Sequence, residues 1–389
     1  MNHLLTITTR PDTVFVHGQG SWLVDETGKR YLDLVQGWAV NSLGHSAAPI
    51  AEALARQAGR LVNASPAFHN RPMITLCERL AALSGLERVF LCNTGAEANE
   101  GAVKLARRWG LKHRGGAHEV IGFDDAFHGR TLAMMSASGK PGWGTRFPPM
   151  PTGFAKARFN DIDSVERAMG AQTVAVMIEL VQGEAGVRPA DPGFVRELRA
   201  LTRERGVLLI VDEVQTGVGR CGTAFAHQHY DVEPDLMTLA KGLGGGVPLA
   251  ALLAKEAFDC FEPGDQGGTY CGNPLMAAVG LAVVDTVCRE AFLATVRQRA
   301  QQLERGLQGL VREHGLVAER GVGLLRALVL PHDRADAVVT AARELAPVGL
   351  LLNAPRPSIL RLMPALNIGA EEIDEALGLL SQALHAAAG

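Results

Sequence analysis

Between residues 89 and 254, six short apolar runs alternate with longer stretches of helical character. The runs are Val89–Cys92, Glu119–Phe123, Val174–Glu179, Val207–Asp212, Leu236–Leu239 and Leu249–Ala254. Helices are expected between them at Glu97–Trp109, Ser164–Met169 and Pro192–Arg205. Strands without a polar face must be covered on both sides, and alternating helices supply that cover. The pattern predicts an α/β fold with a mostly parallel sheet. In such a sheet, ligands sit at the carboxyl ends of the strands. Chemistry is therefore sought where these runs stop.

The flanks read differently. Short strands are expected at Val14–Val16, Trp22–Val24 and Arg30–Leu34, with turn signals between them. Helices follow at Ile50–Val62 and Met73–Leu83, and Asn273–Arg289 reads as a long buried helix. From Phe292 the composition shifts to helices rich in Arg, Gln, Leu and Ala, with strands near Leu324–Leu330 and Ile359–Leu362. This suggests a large unit over 46–290 and a smaller α+β unit made from 1–45 and 291–389. With 389 residues, 47% of them hydrophobic, the chain has material for such cores. A net charge of −3 gives no electrostatic case for nucleic acid or an anionic membrane. The six cysteines form no C-x-x-C pair, so no metal and no disulfide framework is expected. Met1–Arg10 has no long apolar core and no run of 18 apolar residues occurs, so a cytoplasmic location is expected.

Three strand ends carry residue types that belong together. Leu236–Leu239 leads through Ala240 to Lys241 and a glycine cluster, Gly242 and Gly244–Gly246. A lysine at such a place can lose its proton through desolvation and act as a nucleophile, although a surface lysine entering a loop is the commoner case. Asn93–Glu100 follows a strand and opens a helix, with Thr94 and Glu97 in the capping-box pattern. Free first-turn amides after a small-residue turn can hold an anion, usually phosphate, although taken alone this stretch is more simply a good helix start. Asp212 ends a strongly apolar strand, where a carboxylate needs a cationic partner such as a protonated pyridine nitrogen, although an Asp that caps the next element is common. Phosphate, pyridinium and an amine-reactive aldehyde together spell pyridoxal 5′-phosphate. A competing signal, Gly217-Val218-Gly219-Arg220-Cys221-Gly222, matches G-x-G-x-x-G. It is displaced from the strand by Glu213–Thr216 and no clear helix follows, so it is expected to be a flexible loop, not a dinucleotide site.

Seven segments in order resemble the class III pyridoxal-phosphate aminotransferases of fold type I over nearly the whole chain. They are Asn93–Glu100, Phe127–Thr131, Glu179–Glu184, Val211–Arg220, Leu239–Gly242, Gly268–Pro274 and Arg361–Leu366. The resemblance implies a mostly parallel seven-stranded sheet in the large domain, a smaller α+β domain and a homodimer. It is nearest the members that move the δ-amine of N-acetylornithine to 2-oxoglutarate in arginine biosynthesis. Succinylated donors, ornithine and 4-aminobutyrate remain alternatives.

The resemblance also implies roles. Lys241 would bind the cofactor aldehyde and then move the substrate proton, and Asp212 would pair with the ring nitrogen. Gln215 would bond near the phenolic oxygen, Phe127 would stack on the ring, and Gly95 and Ala96 would hold the phosphate. Glu179 would line the cofactor side. Thr269 would reach the phosphate from the partner subunit. Arg361 would hold the α-carboxylate of glutamate or 2-oxoglutarate, with Glu184 as a movable counter-ion, and Arg130 would hold the donor carboxylate. Gly268 would offer only backbone to the substrate, and Trp38 would narrow the entrance. Leu180, Ala185, Gly268 and Cys271 depart from the usual family residues, which bears on substrate and not on cofactor.

Overall fold

Seven strands form the central sheet: β1 (Arg88–Cys92), β2 (Glu119–Phe123), β3 (Phe154–Ala157), β4 (Thr173–Ile178), β5 (Leu208–Asp212), β6 (Leu236–Leu239) and β7 (Ala250–Ala254). These come from a computed structural model, which describes residues 3–387. The spatial order is β1-β7-β6-β5-β4-β2-β3. Only β7 runs antiparallel, to both β6 and β1. The remaining pairs are parallel. The sheet is thus the mostly parallel, seven-stranded one expected. Six of its strands are the predicted ones. The seventh, β3, is a four-residue edge strand, Phe-Ala-Lys-Ala, too short and mixed to stand out from the sequence. A lysine on an edge strand discourages further pairing, and Lys156 Nζ donates to the carbonyls of Ser136 (2.6 Å) and Ala137 (2.7 Å).

Both faces of the sheet are covered, for the reason the apolar runs suggested. Side chains alternate along a strand. Val176, Leu209 and Val211 face the helix α2 (Pro192–Glu204) through its Phe194, Val195 and Leu198. Met177, Leu208 and Ile210 face the other way, toward α1 (Gly95–His113) through Ala102, Leu105 and Ala106. Parity then puts Asp212 on the α1 face at the carboxyl edge. A buried ion pair pins the opposite end of this region. Arg199 on α2 grips Asp235 with two bonds of 2.7 and 2.6 Å, and Asp235 Oδ2 also accepts from Leu209 N (2.8 Å). Removing one partner of such a pair costs roughly 3–5 kcal/mol, because the other charge stays buried.

The two ends of the chain share a sheet. Phe15–Gln19, Trp22–Asp25 and Arg30–Asp33 form a meander, and Val348–Leu351 joins it in parallel beside Arg30–Asp33. A second four-stranded sheet, antiparallel throughout, has the order 318–322, 325–329, 359–362, 353–356. The strands at 318–322, 348–351 and 353–356 were not expected. Ala-Glu-Arg-Gly-Val and Asn-Ala-Pro-Arg lack an apolar alternation, and long-range pairing overrides that. The helices Ala48–Ala58 and Arg71–Ser84 pack on α3 (Pro274–Val287) through Ile50, Ala53, Leu76, Leu80, Ala277 and Val283. After it come α4 (Glu290–His314) and α5 (Ala370–Ala386). Among the described residues, no helix is long and apolar enough to cross a membrane.

One expectation is corrected. The Gly217–Gly222 segment is a loop, but it is not a flexible exposed one. Its residues are buried and a short helix, Ala226–His229, follows. Arg220 Nη1 donates to the carbonyls of Leu324 (3.0 Å) and Pro364 (2.6 Å). A Cβ on Gly219 (φ +85°) would lie 2.5 Å from Val287 Cγ1. The glycines serve close packing of this loop against its neighbours.

Candidate active site

The carboxyl ends of β1, β5 and β6 open into one cavity of about 410 Å³. β1 stops at Cys92 and α1 starts two residues later. Thr94 caps α1: its Oγ1 accepts from Glu97 N (3.2 Å), while Glu97 Oε2 accepts from Thr94 N (2.9 Å) and Asn93 N (2.7 Å). The capping box leaves the first-turn amides of Gly95 and Ala96 with no helical carbonyl to bond, and both residues line the cavity. Two glycine positions beside the cavity leave no room for a side chain. A Cβ on Gly95 would lie 2.8 Å from Val214 Cγ1, and one on Gly129 would lie 2.9 Å from Ala96 Cβ.

Asp212 is buried and held on three sides. Its Oδ2 accepts from Asn99 Nδ2 (2.8 Å) and meets His128 Nδ1 at 2.8 Å, and its Oδ1 accepts from Val214 N (2.9 Å). Asn99 is itself fixed, accepting from Thr238 Oγ1 (2.6 Å) on β6 and donating to the His128 carbonyl (2.8 Å). The carboxylate is therefore aimed, not merely present. Glu179 accepts from Phe127 N (2.9 Å). Burial first, and then the charge of Asp212, pushes its pKa well above the usual carboxylate range.

Lys241 follows β6 and Ala240, with a positive φ of 42°. It reaches the same cavity. Burial lowers its pKa, and the positive charge of Arg361 lowers it further, against the pull of Glu184, Asp212 and Glu179. A lysine so placed holds more of its amine neutral than an exposed one does.

Arg361 lies on the inner strand Ile359–Leu362 and is 1% exposed. Its fork is fully engaged: Nη2 with Glu184 Oε1 (2.8 Å), Nε with Asn353 Oδ1 (2.9 Å) and Nη1 with Gln215 Oε1 (3.4 Å). Burial raises the Glu184 pKa, but Arg361 and then Lys140 outweigh it, and the net shift is downward. Lys140 Nζ stands 3.6 Å from the other Glu184 oxygen. Gln215 packs so tightly that a Cβ on Gly183 would lie 1.7 Å from its Oε1. Phe127 forms a cavity wall, with Trp143 edge-on behind it at 5.7 Å.

Of the predicted site residues, Gly95, Ala96, Phe127, Glu184, Asp212, Gln215 and Lys241 line the cavity, and Arg361 touches it through Glu184 and Gln215. Four others are not gathered there. Arg130 is exposed, and Gly268 and Thr269 sit in an exposed turn. Trp38 is 53% exposed, in a left-handed run from Gln36 to Ala39. That run is strained backbone of the kind found near functional sites, and it carries Val40 to the cavity wall. Asn99, His128, Lys140 and Asn353 do work that the sequence reading did not assign. Asn99 offered a signal, being one polar residue among the small apolar positions of α1.

The family model described as Aminotransferase class-III matches residues 8–384. The chain belongs to the class III aminotransferases. Members of this family use pyridoxal 5′-phosphate, and the site has the cation-accepting carboxylate, the amine and the anion-binding helix start that this cofactor requires. Acetylornithine aminotransferase 2 of Bordetella bronchiseptica is 61% identical over 368 residues, 95% of this chain and 93% of that protein. Acetylornithine aminotransferase of Ralstonia nicotianae is 58% identical over 387 residues, covering 98% and 97%. Among solved structures, N-acetylornithine aminotransferase of Stenotrophomonas maltophilia superposes with a TM-score of 0.84 at 37% identity, covering 97% of this chain and 96% of that one. Ornithine aminotransferase of Toxoplasma gondii superposes with a TM-score of 0.94 at 31% identity, covering 99% and 93%. As an aminotransferase, this chain acts on an amino acid and a 2-oxo acid.

Proposed function

We propose that the enzyme moves the δ-amine of N-acetylornithine to 2-oxoglutarate, giving N-acetylglutamate 5-semialdehyde and glutamate, as a step of arginine biosynthesis. The observation that carries this reading is the buried Arg361 with its counter-ion Glu184 beside Lys241. The 58–61% identity to acetylornithine aminotransferases favours the acylated donor over ornithine.

Bound in the cavity, pyridoxal 5′-phosphate would supply an amine-reactive aldehyde and an electron-withdrawing ring. Gly95 and Ala96 amides would hold its phosphate, helped by the positive end of α1. Asp212, oriented by Asn99 and His128, would keep a proton on the ring nitrogen. Phe127 and Gln215, both lining the cavity, would hold the ring, Phe127 by packing and Gln215 by a hydrogen bond. Lys241 Nζ, more of it unprotonated because burial lowers its pKa, takes the proton from the reacting carbon of the donor and returns one to the acceptor.

Arg361 binds the α-carboxylate of 2-oxoglutarate through its planar fork once Glu184 has moved away. With the amine donor, whose reacting end carries no carboxylate, Glu184 stays and neutralises Arg361. One pocket thereby accepts two substrates of different charge at the same position. Arg130 is assigned to the donor carboxylate and Trp38 to the entrance. Thr269, exposed in the single chain, is assigned to the phosphate of a partner's site in a homodimer, with Gly268 offering its backbone to substrate there. We also assign 46–290 to the cofactor-binding domain and the two chain ends to a smaller one, in a cytoplasmic enzyme.

The test is a panel of ω-amino donors, acylated and free, compared by kcat/KM with 2-oxoglutarate. N-acetylornithine is expected to exceed ornithine and 4-aminobutyrate by at least about tenfold, the worth of one well-placed polar contact. Equal or better use of free ornithine would overturn the donor assignment.

A further inference from the structure

Away from the cavity, one end of the helix pair α4 and α5 gathers metal-ligating side chains. Gln302 on α4 bonds to Ala370 O (3.0 Å) and Asp374 Oδ1 (2.8 Å) near the start of α5. Further along, His314 Nε2 meets Ser381 Oγ at 2.9 Å. The two helices therefore run parallel, and their C-terminal ends, His314 and Ala386, lie at the same end of the pair. Each helix brings terminal carbonyls without helical partners and the negative end of its dipole. Two such ends side by side favour a cation.

The side chains there are Glu313, His314 and His385. One ligand atom of each lies within 4.8 Å of the other two. The two imidazole rings are 4.6 Å apart, centre to centre. Ser381 Oγ donates its single proton to Glu313 Oε1 (2.9 Å), so it accepts from His314 Nε2. With the ring proton on Nε2, His314 offers a metal its Nδ1, and the serine holds this ring and the Glu313 carboxylate in place. His314 is nearly enclosed, at 7% side-chain exposure, whereas Glu313 and His385 are exposed and free to adjust.

We propose that Glu313, His314 and His385 bind one divalent first-row transition metal, zinc above all, and clip the C-terminal ends of α4 and α5 together. Two imidazoles and a carboxylate suit zinc, nickel or copper, whereas magnesium and calcium prefer oxygen donors throughout. Zinc bonds of about 2.0–2.2 Å put tetrahedral ligands roughly 3.3–3.5 Å apart. Rotation of the two exposed side chains closes the remaining gap, at most 4.8 Å, and water fills the fourth position. This site has no part in transamination.

The test uses full-length, cofactor-loaded enzyme freed of unbound pyridoxal phosphate. Zinc is titrated in competition with a chromophoric chelator. We expect one ion per chain, with a Kd below about 10 μM, and binding at least about tenfold weaker in His385→Ala. That variant removes an exposed side chain, and its transaminase rate is expected to stay within about twofold. Cobalt in place of zinc distinguishes the ligands: weak visible bands without a thiolate charge-transfer band support nitrogen and oxygen ligation. Thiolate bands, which would point to the free cysteines, overturn the site. So does unchanged affinity in His385→Ala, or no binding at about 100 μM zinc.

Discussion

Replacing Glu184 with glutamine separates the two half-reactions. In the wild type, Glu184 Oε1 is 2.8 Å from Arg361 Nη2, a charge-assisted hydrogen bond. Such bonds are worth about 1.5–3 kcal/mol. Glu184 is 27% exposed, so the lower end applies. A 2-oxoglutarate carboxylate must displace this bond before it can use the arginine. With the charge removed, 2-oxoglutarate binding is expected to tighten by about tenfold, the equivalent of about 1.4 kcal/mol. The donor half-reaction should change the other way. Its substrate brings no carboxylate to this point, so it faces an uncovered and buried cation, and its kcat/KM is expected to fall about tenfold. Arg361 keeps Asn353 and Gln215, so the fold should hold. Each half-reaction can be followed in a single turnover by the cofactor's absorbance after rapid mixing. Equal losses in both directions would refute the displacement argument.

Two other outcomes follow from the same geometry. Lys241→Ala is expected to keep its thermal unfolding midpoint within a few degrees while steady-state turnover disappears, since among the described residues Lys241 is the one lysine lining the cavity; appreciable turnover would remove Lys241 from its role. Arg361→Met concerns pH. Burial and the charge of Arg361 depress the Lys241 pKa, so removing that charge should let it climb back toward its ordinary value. The apoenzyme reacts with pyridoxal phosphate through the neutral amine, so the midpoint of the recombination-rate profile should move to higher pH, and a shift to lower pH would contradict the electrostatic account.

Most of the fold was legible because the sheet is buried on both faces. Thr173–Ile178, Leu208–Asp212 and Ala250–Ala254 have no exposed residue, so they appear as unbroken apolar runs. The edge strand Phe154–Ala157 and the strands at 318–322 and 353–356 have half-buried, mixed sequences and escaped notice. The same division holds in the site. Lys241, Asp212 and the Gly95–Ala96 turn follow directly from where strands stop. His128 and Asn353 matter only through partners 84 and 8 residues away, and no local pattern marks them.

The sequence by itself determined the type of chemistry. A lysine, a carboxylate and a glycine-opened helix, each at a strand terminus, must meet at one edge of a parallel sheet, because parallel strands end on the same side. Only the tertiary structure decided how those groups are tuned. It is strand parity and the approach of α1 that set Asn99 and His128 on Asp212, and it is the C-terminal antiparallel sheet that brings Arg361 to Glu184. Neither distance is written in local pattern. Lys241 owes its weakened hold on a proton to burial and to an arginine 120 residues later in the chain, and that coupling exists only once both are folded against the same cavity.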